Sequence, residues 1–180
     1  MTPASAAPPI CCGSILSEPK PLRIIGVGNP LMADDGLGIV AAERLAAMDW
    51  PAGVEVLDGG TGGLTLLDLF GGARAVILLD AVAMGAAPGT LRRFTAEELT
   101  GLAAEPPGMS LHGSGLTEVL ALARELGQLP PLLLFGVEPA RVELGIGLSP
   151  PVAAAMDRLL AAVRDKVACH AIHDFPLNSR

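Results

Sequence analysis

Four short aliphatic runs, each closing at or beside a glycine or aspartate and separated by segments of helical spacing, constrain this chain more than any other feature. The runs are Arg23–Val27, Val54–Asp58, Ala75–Asp80 and Pro131–Val137. Such runs lack a regular polar alternation, as parallel strands covered on both faces do. Between them, Leu37, Val40, Ala41, Leu45 and Met48 follow helical spacing until Trp50-Pro51 stops the pattern. Leu64 to Phe70 and Ala96 to Leu102 read as short helices, and Gly115 to Leu126 carries apolar residues at Leu116, Val119, Leu120 and Ala123. Thr90 to Thr95 reads as a short edge strand. The last helix shows one apolar stripe, Val152, Met156, Leu159, Leu160, Val163 and Val167, with Pro150 and Pro151 suited to its first turn. Strands alternating with helices over short links predict an α/β fold, with a mostly parallel sheet, right-handed crossovers and helices on both faces. In a strand order of 2-1-3-4-5 the winding reverses between the first and third strands, and open α/β sheets bind ligands there, beyond the carboxyl ends of the strands.

A length of 180 residues fits one domain, and a domain of that size buries about 70% of the surface its unfolded chain exposes. The mean hydropathy of +0.51 looks membrane-like, but every apolar run is broken by Gly, Pro or a charge, and none approaches the ~20 residues of a spanning helix. A net charge of -7 argues against nucleic acid, which needs clustered Lys and Arg. Protein or small-molecule partners fit better. The three cysteines, Cys11, Cys12 and Cys169, form neither a disulfide framework nor a zinc spacing, so a reducing cytoplasm is the expected compartment. Residues 1–21 read as a disordered leader without the features of a secretory signal, 22–168 as a single α/β domain and 169–180 as a tail.

Three polar features fall where the switch-point rule looks for a site: Asp34-Asp35 after the first strand, Asp80 at the end of the third, and Ser110-Leu111-His112 before a helix. Two carboxylates and an imidazole form an O,O,N set suited to a divalent metal such as nickel or zinc, which could polarise a carbonyl or activate water. Each also has a plainer role: Asp34 and Asp35 as the N-cap region of the first helix, Asp80 as a cap or turn former, His112 as a solvated side chain. Gly26-Val-Gly28 with Asp58 suggests a dinucleotide site, but Leu31 replaces the third glycine and Pro30 with two carboxylates opposes a pyrophosphate. Ser110 and Ser114 lack a nucleophile elbow. Cys169, His170, His173 and Asp174 offer metal donors but read better as a solvated tail. Glu138 and Arg141 read as shaping a groove or the surface, and Gly59, Gly60 and Thr61 as a turn or a substrate contact.

The segment Gly26-Val-Gly-Asn-Pro-Leu-Met-Ala-Asp-Asp-Gly-Leu-Gly38 resembles the opening signature of the hydrogenase maturation proteases. The turn at Asp58–Thr61, Leu79-Asp80-Ala81, Pro88-Gly89-Thr90, Ser110-Leu111-His112, Phe135–Pro139 and Gly147–Pro150 resemble further blocks of that family, in the family's order, over residues 22 to 167. The resemblance implies a three-layer sandwich of the phosphorylase/hydrolase-like kind, built on a twisted five-stranded sheet. It also implies a metal-contacting and catalytic trio at Asp35, Asp80 and His112, with Asp35 standing where some members carry Glu. The implied reaction is hydrolysis that removes the C-terminal extension from a nickel-loaded [NiFe]-hydrogenase large-subunit precursor. Nickel is brought by that precursor, with no organic cofactor, and the protease is expected to act as a monomer, away from membranes. A non-catalytic nickel-sensing or chaperone-like module is the competing reading.

Overall fold

The computed structural model describes residues 20–102 and 115–170. Five strands, β1 (Leu22–Gly26), β2 (Val54–Asp58), β3 (Ala75–Ala81), β4 (Leu91–Thr95) and β5 (Leu132–Val137), form one sheet in the order β2-β1-β3-β5-β4. Every pairing is parallel except β4 with β5. The helices are α1 (Leu37–Ala46), α2 (Thr65–Phe70), α3 (Ala96–Leu102), α4 (Leu116–Glu125) and α5 (Pro150–His170), and a 3-10 turn spans Ala33–Gly36. α5 thus continues through Cys169 and His170.

Side-chain alternation along the strands divides the core into two layers. Ile24, Ile77, Leu79, Leu133 and Phe135 face α1 and α5, whereas Ile25, Val76, Leu78, Leu132 and Leu134 face α2, α3 and α4. The apolar stripe of α5 is fully used: Val152, Met156, Leu159 and Val163 are buried, each contributing about 1.5–3 kcal/mol of transfer free energy. Among the described residues no helix is long and apolar enough to cross a membrane.

The order differs from 2-1-3-4-5 at one edge, where β5 inserts between β3 and β4. All six residues of β5 are buried, so the strand needs a neighbour on each side. β4 carries the exposed Arg92 and Arg93 and suits an edge, where charge discourages further pairing. The reversal of winding stays between β1 and β3, and the first turn of α1 lies directly on it. A Cβ at Gly38 would stand 2.1 Å from the Val27 carbonyl oxygen and 2.2 Å from that of Leu79, so only glycine lets the helix approach both strands.

Candidate active site

The loop that follows β1 is built by backbone approach. Gly28 has φ +137°, and a Cβ there would lie 1.8 Å from the carbonyl oxygen of Asp35, so the 3-10 turn folds back onto the glycine. The Gly28 N–H donates to the Gly60 carbonyl (2.9 Å), and the Gly60 N–H donates to Asp58 Oδ1 (2.7 Å). Asp58 therefore closes the turn after β2, an Asx arrangement that accounts for it without a ribose. The dinucleotide reading loses its acidic anchor.

Asp34 and Asp35 divide sharply in role. Asp34 is 0% exposed and collects four hydrogen bonds: Oδ1 accepts the Ser149 N–H (2.6 Å), and Oδ2 accepts the Ser149 hydroxyl (2.8 Å), the Ala140 N–H (2.9 Å) and the Arg141 N–H (3.0 Å). Burial pushes its carboxyl up, but the bonds from Ser149, then Arg141 and Ala140, outweigh it and hold the pKa below the usual 3.8. The expected N-cap role does not appear, since neither the 3-10 turn nor α1 has a side-chain cap. Asp34 instead fastens the β1 loop to the loop between β5 and α5. The backbone reinforces that seam: Ala33 N–H donates to Gly145 (2.8 Å) and Gly145 N–H to Leu31 (2.9 Å). Ala33 sits there at φ 51°, a left-handed conformation costly for alanine.

Asp35 is only half-buried. Its Oδ2 accepts the Asn29 N–H at 2.8 Å, and its second oxygen has no hydrogen bond among the described residues. Asp80 is 3% exposed and lies near the end of β3, opposite Gly136 of β5. By alternation it falls on the face of Val76 and Leu78, the one covered by α2, α3 and α4. The next segment is tied down by Glu138, expected at a groove or on the surface and found 8% exposed. Its Oε2 accepts the N–H groups of Met84 (2.6 Å) and Ala86 (3.1 Å). Arg141 is on the surface, paired with Glu143.

The structure thus brings Asp35 and Asp80 to the carboxyl ends of neighbouring strands, on the two sides of the switch point. His112, with Ser110 and Ser114, lies outside the described residues. The helices flanking its segment, α3 and α4, pack on the face to which Asp80 belongs. Among the described residues, no three His, Cys, Asp or Glu side chains are grouped to hold a metal on their own. Cys169 is exposed and unbridged; His173 and Asp174 lie outside the described residues. Asp34 and Glu138 were the residues whose positions sequence reasoning missed. Two adjacent aspartates in one tight turn, and a carboxylate directly after a fully aliphatic strand, were the available signals.

Comparison with known proteins agrees with this architecture. The family model for hydrogenase maturation proteases matches residues 39–166. The hydrogenase expression/formation protein HupD of Rhodobacter capsulatus is 39% identical over 152 residues, covering 82% of this chain and 72% of HupD. The hydrogenase 2 maturation protease of Escherichia coli is 38% identical over 164 residues, covering 85% of this chain and 99% of that protein. The solved hydrogenase maturating endopeptidase HybD from E. coli superposes with a TM-score of 0.68 at 37% identity, covering 81% of this chain and 93% of HybD. A family match across most of the sheet and its helices, with relatives at 37–39% identity covered over 72% or more of their length, places the chain in the hydrogenase maturation protease family, as a hydrogenase maturation endopeptidase.

Proposed function

We propose that the protein removes the C-terminal extension of a [NiFe]-hydrogenase large-subunit precursor after nickel insertion, by one hydrolysis just beyond the metal-binding cysteines near that subunit's C-terminus. Asp35, Asp80 and His112 together hold the nickel ion that the precursor carries. The observation that supports this reading best is the separation of roles in the β1 loop. One carboxylate of the Asp34-Asp35 pair is consumed in the fold. The other keeps an oxygen without a hydrogen bond among the described residues, beside the strand that bears Asp80.

Two carboxylates and an imidazole fit a divalent ion of intermediate hardness. When bound, such an ion supplies charge that recognises the loaded precursor and polarises a carbonyl. The chain's own contribution is positional. Gly28 and the Asp34 seam fix the turn that carries Asp35, and Glu138 fixes the segment that leaves Asp80. A precursor without nickel offers nothing for the trio to grip and binds more weakly, so cleavage follows metal insertion. The cysteine pattern supports a cytoplasmic site of action, and the protein works as a monomer.

Incubation with nickel-loaded precursor, followed by mass spectrometry of the large subunit, tests the reading. Loss of a short C-terminal peptide, dependent on nickel and abolished by His112→Ala, is the expected result. Tight binding without a change in mass would instead indicate the non-catalytic nickel-binding module.

A further inference from the structure

Exposed large apolar side chains are distributed unevenly over this protein. Leu31 is 58% exposed, Leu64 67%, Val142 52%, and Leu144 and Ile146 85% each. All five sit on loops that follow the carboxyl ends of β1, β2 and β5, the rim that carries Asp35 and Asp80. The two other large exposed apolar residues described, Leu122 and Leu126, belong to α4 and its C-terminal end.

Leu144 and Ile146 flank Gly145, whose N–H and carbonyl pair with Leu31 and Ala33, so the loop that carries them is bonded to the turn that holds Asp35. The loop that displays them is fixed. The buried Asp34 carboxylate grips it at Ala140 and Arg141 and again at Ser149, on both sides of the patch. Side chains held outward on an anchored loop cannot fold back onto the core to escape water, and a concentration of them at one rim marks a binding surface. The charges within it, Arg141 and Glu143, pair with each other at 3.4 Å. The patch is therefore electrically neutral and selects an apolar partner over a charged one.

We infer that Leu31, Val142, Leu144 and Ile146 form the platform on which an apolar segment of the precursor, adjoining the scissile bond, docks beside Asp35. This rests on the reading of the protein as an endopeptidase for a large-subunit precursor and adds the surface that holds the polypeptide. A protein substrate must be held by more than its metal. Contact made before the chemical step, and kept through it, lowers KM and leaves kcat unchanged.

The test compares wild type with Leu144→Ser/Ile146→Ser, and with Leu122→Ser/Leu126→Ser on α4 as control, using purified nickel-loaded precursor. Because both loop side chains are exposed, the double variant keeps its fold, checked by circular dichroism. The expected result is a KM raised by about tenfold or more, the effect of losing two buried aliphatic contacts, with kcat within twofold and the control unchanged. A KM within twofold of wild type overturns the proposal, as does a loss confined to kcat. So does a change in elution from dimer to monomer with KM unchanged, which would assign the patch to a second copy of the chain. If wild type leaves the precursor uncleaved, the endopeptidase reading fails by itself. Biolayer interferometry on immobilised precursor then decides the platform: weaker binding by the loop variant alone supports it, and equal binding by wild type and variant refutes it.

Discussion

Replacing Asp34 with asparagine should destabilise the fold far more than the same change at neighbouring Asp35. The orientation of the amide with fewest conflicts puts its nitrogen at the Oδ1 position, which meets a single donor, the Ser149 N–H. That N–H is then buried without an acceptor, at a cost of about 1–3 kcal/mol. The three bonds to the other oxygen survive as neutral ones, each weaker by about 1 kcal/mol than a bond to a carboxylate. The total comes to about 4–6 kcal/mol, a large part of the roughly 5–15 kcal/mol that holds a domain together. With a urea slope of about 2 kcal/mol per molar, the unfolding midpoint should fall by about 2–3 M. Asp35→Asn should cost under about 1 kcal/mol, since the amide oxygen can still accept the Asn29 N–H. The pH dependence follows from the lowered pKa of Asp34. At a pH near the ordinary carboxylate value the unfolded chain binds more protons at this position, so the stabilisation is complete above that value. It fades as pH falls through the lower folded value. The gap between wild type and Asp34→Asn should therefore be flat at neutral pH and narrow below about pH 4. A midpoint for Asp34→Asn within about 0.5 M of wild type would refute the reasoning.

Three further outcomes follow from the same geometry. Gly38→Ala places a methyl against the Val27 and Leu79 carbonyls and should cost about 3 kcal/mol by thermal or urea unfolding, because backbone on two strands must move. Glu138→Ala leaves the Met84 and Ala86 N–H groups without their acceptor; a loss of about 2 kcal/mol and faster limited proteolysis within residues 82–88 are expected. Leu159→Ala, in the buried stripe of α5, should lower stability by about 2–5 kcal/mol in urea.

What the sequence disclosed and what it withheld divide along a physical line. Periodicity reports which face of an element is dry, and it located the start of α1 at Leu37 and the stripe of α5. It carries no information about partners far along the chain. Nothing local at Asp34 announces Ser149, 115 residues away; nothing at Glu138 announces the N–H groups 54 and 52 residues before it. Strand order is likewise a long-range property. The insertion of β5 beside β3 follows from burial on both of its faces, and the paired arginines of β4 become an edge signal only once the competing strand is known. The places of Asp35, in the loop after β1, and of Asp80, near the end of β3, were legible because topology puts both beside the switch point. His112, between α3 and α4, lies outside the described residues.

The claim on which the rest depends is that the half-buried carboxylate of the β1 loop acts on the substrate while its buried neighbour acts on the fold. The direct measurement is single-turnover release of the C-terminal peptide from nickel-loaded precursor by Asp35→Asn, alongside its urea midpoint. Release slower by about a hundredfold, near 3 kcal/mol of lost transition-state stabilisation, with the midpoint unchanged, is the predicted result. Release within about threefold of wild type by a fully folded Asp35→Asn would contradict the account.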